Sequence, residues 1–125
     1  MAIAHQPGPE EGKITLRFHH GTDQMSANDL DHNGVNQQHA AAWNGTGEFW
    51  ATLDHGRAAW FALSHPSSPP AACFEFDLPE EVLQLMLQMN PPAALRHGTD
   101  DVEFLPPSHL LLNQHIANKA VVRVP

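Results

Sequence analysis

The chain is poor in cations. Six Lys and Arg stand against 14 Asp and Glu in 125 residues, a formal net charge of −8 with His neutral. Nucleic-acid binding without sequence preference runs on clustered Lys and Arg that displace phosphate counterions, so this balance argues against such a surface. A small anionic cofactor is still open to it, since one Arg or one helix N-terminus can hold that. Cysteine is nearly absent as well. Cys73 stands alone, which excludes an internal disulfide and fits a reducing compartment; beside Ala72 and Phe74 it has the setting of a small core hydrophobe. No apolar run approaches the ~18 residues a membrane helix needs. Metal-ligating spacings are missing too: there is no Cys pair and no His-x-x-x-His, and adjacent His19 and His20 point to opposite faces of a strand. No metal site is expected. A Gly-x-Ser-x-Gly nucleophile elbow is lacking.

What remains bounds one domain with one core. Residues 1–12, with Pro7, Gly8, Pro9, Glu10 and Glu11 and no hydrophobic block, read as a loose tail rather than a signal peptide. Residues 13–125 then form a single domain, and a cytoplasmic, membrane-free protein is expected. Ten histidines make the charge sensitive to pH between 5 and 7.

The organising stretch is Lys13 to Thr22. Alternation puts Ile14, Leu16 and Phe18 on one face of a strand, and His20 falls in line with them. A buried imidazole needs a partner. Gly21 then leaves bare backbone for a ligand, and Thr22 adds a hydroxyl. The plain alternative for His20 is a core histidine satisfied by a backbone carbonyl.

Further on, Ser26 to Asp29 resembles a capping box for a short helix that ends before Gly34, a left-handed C-cap. Val35 to Trp43 suggests a second short helix, and Asn44 to Gly47 a turn. Glu48 to Leu53 reads as a strand with Phe49, Ala51 and Leu53 on one face and Trp50 on the other. Asp54 caps a helix that Pro66 stops. Phe74, Phe76 and Leu78 mark a one-sided strand. Pro79 opens a helix with Glu80 and Glu81 in its first turn and a polar stripe at Glu80, Gln84 and Gln88. Val102 to Leu105 and Ala120 to Val124 are the last strands, and His97-Gly98-Thr99 reads as turn chemistry. Short alternating strands favour antiparallel or mixed sheets in an α+β domain.

Taken in order, strand-His-Gly-Thr, a short helix ending Asn-Gly-Val, Gly-x-Gly-x-Phe-Trp-x-Thr, a helix with paired Ala and a late strand bearing Glu resemble the ADP-ribosyltransferases. The likeness is to the branch with a His-Tyr-Glu triad, shared by diphtheria toxin and the poly(ADP-ribose) polymerases. It spans roughly residues 13 to 116 as an ordering of short motifs. It implies a fold of split, mostly antiparallel β-sheets with short helices around them. It implies NAD as substrate, transfer of ADP-ribose to an unknown macromolecular or small-molecule acceptor, and a bacterial toxin or effector with an inhibitor or antitoxin partner. It implies that His20 bonds a ribose hydroxyl and that the Gly21 backbone meets the carboxamide, with Thr22 alongside. Trp50 takes the place of the stacking Tyr, Phe61 is the second aromatic, and Glu103 is the catalytic carboxylate. Tyr is absent from the chain, so the hydroxyl of that triad residue is lost while a larger stacking surface remains. Asp101, two before Glu103, matches the acidic residue of arginine-modifying members. Two other functions follow from the same fold: a catalytically silent module that binds NAD, ADP-ribose or a protein, and a tRNA 2′-phosphotransferase, which the scattered Arg17, Arg57 and Arg96 disfavour.

Overall fold

Strand periodicity at the start of the chain sets the frame for everything else. The computed structural model describes residues 14–35, 49–64 and 70–125. Its elements are β1 (Thr15–Asp23), α1 (Gln24–Asn33), β2 (Phe49–Thr52), α2 (His55–Ser64), β3 (Ala71–Pro79) and α3 (Glu80–Gln88). There follow β4 (Ala94–His97), β5 (Asp101–Phe104), a 3-10 turn (Pro106–Ser108), α4 (His109–His115) and β6 (Ala117–Arg123). The expected tail, the helix at Val35 to Trp43 and the turn at Asn44 to Gly47 lie wholly or almost wholly outside the described residues.

The strands form one six-stranded sheet in the order β4-β5-β2-β1-β3-β6, with every neighbouring pair antiparallel. This is an α+β fold, but a single sheet stands where two split sheets were expected. The join at its middle is narrow: β1 and β3 pair along their whole length, from Thr15↔Pro79 to Asp23↔Ala71, whereas β1 meets β2 in register only at His19↔Thr52. β2 has only four residues, too short to hold a long ladder on both sides.

Alternation decides what each face does. Phe18, Phe49, Phe74, Phe76 and Phe104, five of the six phenylalanines, are fully buried on one face with Leu78, Val102 and Ala51. Their rings pack at centroid distances of 5.6 to 6.3 Å, and α1, α3 and α4 close over them through Leu30, Leu83, Met86 and Leu112. Helix α2 packs on the opposite face, where Ala58 and Ala62 meet Cys73. The one-sided reading of β3 is therefore corrected: Cys73 and Glu75 are buried as well as Phe74 and Phe76, because α2 covers the second face. Burial, with Glu75 nearby, pushes the Cys73 thiol up to about 11, so it stays protonated at neutral pH and is no nucleophile.

Local chemistry explains the helix ends. Asp23 caps α1, its carboxylate accepting from the Ser26 N–H at 2.7 Å, so the helix starts at Gln24, upstream of the Ser26 box. Gly34 closes it with φ 81°, its N–H reaching the Leu30 carbonyl. Asp54 bonds the Arg57 N–H in the first turn of α2. Two elements escaped the sequence. β4 precedes β5 in a hairpin through Gly98 (φ 69°), and α4 follows the 3-10 turn. No described helix is long and apolar enough to cross a membrane.

His109 opens α4 and is 6% exposed. Burial lowers its pKa below the ordinary 6.5, and the Phe104 backbone opposes that more weakly. The folded chain therefore holds a neutral imidazole at a pH where the unfolded chain takes up a proton. Stability is full above 6.5 and falls as pH drops through that value toward the lowered one. Urea midpoints measured from pH 7.5 to 5 are expected to fall in the wild type and to fall less in His109→Leu. Parallel pH profiles for the two proteins would remove His109 from this account.

Candidate functional site

The register of the sheet selects which polar residues meet. Trp50 lies directly opposite Glu103 across the β2–β5 pair, and Leu95 opposite Glu103 on the far side. Phe49 and Ala51 turn into the phenylalanine core, so Trp50 and Glu103 share the other face, the one on which α2 sits. Residues 53 positions apart in the chain thus become cross-strand neighbours.

His97, at the end of β4, completes this group. Its ring stacks on the Trp50 indole at 4.6 Å between centroids and 32° between planes. Its Nε2 lies 3.0 Å from Glu103 Oε1, and the Glu103 side chain is only 14% exposed. Trp50 remains 41% exposed, an indole with one side on His97 and surface left over for a ligand ring. The reading of His97 as turn chemistry is corrected here, because β4 exists and His97 is its last residue. No signal in the sequence marks β4 strongly: Ala94 is its one buried residue.

His20 reaches the same strand from the other side. Its Nδ1 lies 2.6 Å from the Trp50 carbonyl oxygen, and its ring packs on Phe49 at 4.4 Å. That is the backbone-carbonyl partner expected of a core histidine. Which carbonyl it is gives the contact its interest, because it belongs to the residue facing Glu103, just past the one registered pair between β1 and β2. The imidazole bridges the two strands where their ladder stops.

Thr22 is fully buried, with a hydroxyl that has no partner among the described residues. Gly21 does not present an open face. A Cβ there would sit 2.1 Å from the Ala58 carbonyl oxygen and 2.9 Å from the Ala62 nitrogen, so what approaches this bare backbone is helix α2.

Phe61 is the one phenylalanine outside the core, 42% exposed on α2. Among the described residues its ring meets Trp60 edge-on at 5.0 Å and the Arg57 guanidinium at 5.1 Å, and not Trp50. Arg57 in turn bonds both carboxylate oxygens of Asp101, at 2.9 and 3.1 Å. Asp101 and Glu103 project from the same side of β5, so this link ties α2 to the edge of the Trp50 group. Trp60 and Leu63 leave α2 with a further exposed apolar surface. In the sequence Arg57 is one of a few scattered cations and Asp101 a match to the acidic residue of arginine-modifying members; the pair forms only when α2 folds back over the sheet.

A second polar group lies farther along the same face. His19, Glu75 and His55 come together there, beside Arg17 and Asp77. Compared with family models, curated proteins and solved structures, the chain matches none.

Proposed function

We propose that the chain is an NAD-dependent ADP-ribosyltransferase. The observation that carries this reading is the pairing of Trp50 with Glu103 in register on one face of the sheet, with His20 touching the Trp50 carbonyl from the opposite face. These are the three residues that the motif order marks as the triad, and they come from three separate stretches of chain.

The chemistry needs these groups. Breaking the N-glycosidic bond of NAD sends the bond electrons to the pyridinium nitrogen, nicotinamide leaves neutral, and positive charge develops on the ribose. The Glu103 carboxylate would hold the 2′-hydroxyl and stabilise that charge. The indole of Trp50 offers a stacking surface for nicotinamide; the ribose and carboxamide contacts that the resemblance gives to His20 and Gly21 are not offered on this face, since the His20 ring packs on Phe49 and α2 covers Gly21. The acceptor, a macromolecule or a small molecule, then bonds C1′ and gives up a proton. A role as toxin or effector, held in check by an inhibitor partner, belongs to this reading.

One observation favours a silent NAD- or ADP-ribose-binding module instead. Trp50 carries no hydroxyl, and His97 already engages both its ring and Glu103. A tRNA 2′-phosphotransferase fits less well: Arg17 and Arg57 are both taken up by acidic partners, Asp77 and Asp101.

Incubation of the full chain with NAD, with and without cell lysate as a source of acceptors, is expected to release nicotinamide. A rise in Tm with NAD but no release would select the silent module. Neither release nor a Tm shift would end the NAD reading.

A further inference from the structure

The geometry points to a divalent-cation site of the zinc class formed by His19, His55 and Glu75. It is independent of the NAD reading.

The fold delivers these residues to one point for simple reasons. His19 and Glu75 are direct partners in the β1–β3 ladder, so their side chains rise side by side from one face of the sheet. Thr52 is the partner of His19 on β2, and the chain needs only Leu53 and Asp54 to turn before His55 opens α2 over the same spot. Both imidazoles aim Nδ1 at one carboxylate oxygen. His19 Nδ1 lies 2.9 Å from Glu75 Oε2 and His55 Nδ1 lies 3.6 Å from it, with the rings edge-on at 5.3 Å.

Three donor atoms so arranged match what zinc asks for. They all lie within 4.8 Å of one another, against ~3.3 Å between the ligands of a tetrahedral site with bonds of ~2.0–2.1 Å. A modest rotation of the exposed His55 is enough to close the set. Two imidazoles and one carboxylate suit a borderline cation such as Zn²⁺ or Co²⁺ better than Ca²⁺ or Mg²⁺, which take oxygen ligands. Glu75 is already held in place. Arg17 Nη2 sits 3.5 Å from Glu75 Oε1, and Arg17 is itself anchored by Asp77 at 3.0 Å and the Asn118 carbonyl at 2.7 Å. This leaves Oε2 as the oxygen turned to both rings, an outer-shell role that carboxylate ligands commonly require. His19 and Glu75 side chains are 12% and 11% exposed, and His55 is 63% exposed. Three protein ligands with one open side leave a coordination position for water or a substrate atom.

Spacings along the chain do not show these residues as a group, because they lie 36 and 20 positions apart and meet only when β1 pairs with β3 and α2 folds over that pair.

The test is Co²⁺ binding to the full chain, read by visible absorption and by Tm, with Zn²⁺ as competitor. One Co²⁺ per chain is expected, displaced by Zn²⁺, with affinity falling at least ~10-fold in His55→Ala and in Glu75→Gln. His55→Ala changes an exposed side chain and keeps the fold, so it decides the matter if Glu75→Gln does not fold. Because the chain holds ten histidines, the double variant His32→Ala, His115→Ala serves as the control and is expected to bind as the wild type does. Absence of binding, affinity unchanged in His55→Ala, or loss of binding in the control would each overturn the site.

Discussion

Replacing Glu103 by Gln is expected to lower nicotinamide release by about 10²–10³-fold while leaving the fold intact, on the scale of removing one electrostatic contact to a transition state. The change is nearly isosteric. It removes the negative charge opposite Trp50 but keeps a side-chain oxygen within reach of His97, which lies 3.0 Å from Oε1 in the wild type. Glu103 is on the α2 face of β5 and outside the phenylalanine core, so no cavity results. Tm is therefore expected to move by no more than about 2 °C, as for substitutions away from packed features. His97→Ala separates charge from positioning. It leaves the carboxylate and removes the ring that stacks on Trp50, so the expected loss is about tenfold, appearing in KM as well as kcat. Release by Glu103→Gln within a few-fold of wild type would rule this carboxylate out of the chemistry.

Gly21→Ala is expected to be among the most destabilising single-methyl changes in the molecule. The added carbon would lie 2.1 Å from the Ala58 carbonyl oxygen and 2.9 Å from the Ala62 nitrogen. Both obstacles are backbone, so no side chain can swing aside, and α2 must lift from β1 or the strand must shift. Overpacking of this kind costs about 3 kcal/mol or more, a drop of roughly 10 °C in Tm for a domain of this size. Alanine elsewhere gives the contrast. At Gly98 nothing lies within 4 Å, but φ is +69°, so Gly98→Ala costs about 1 kcal/mol through the backbone alone. At Gly56, in the first turn of α2, the nearest atom is Asp54 Oδ1 at 3.4 Å, and alanine is expected to stabilise by about 0.5 kcal/mol. Thermal melts of the three variants check the order. If Gly21→Ala melts like Gly98→Ala, the close approach of α2 to β1 is not a tight one.

The same position shows how far a motif reads. The sequence reads Gly21, near the end of β1, as bare backbone open to a ligand, and the structure covers it instead. The approaching group is the chain's own helix, because Ala58 and Ala62 are small enough to let it settle there. His20 is similar. Its inward face and its need for a partner follow from the alternation after Phe18, but the identity of that partner, the Trp50 carbonyl, depends on where β2 docks.

Sequence by itself determined the local elements. The alternation of β1 and β3, the acidic first turn of α3, the Gly34 cap and the placement of Trp50 opposite in direction to Phe49 and Ala51 all follow from periods of two or 3.6 and from capping chemistry. Cross-strand register, which depends on contacts between distant segments, was decided only by the tertiary structure. It set His97 on Trp50 and His19 on Glu75, while the packing of α2 over the sheet brought Arg57 to Asp101 and His55 to Glu75. It also made one sheet where two were expected, with β1 and β2 joined in register at a single pair. The physical reason is that periodicity reports which face a side chain takes, whereas its neighbours depend on which strands pair and in what register.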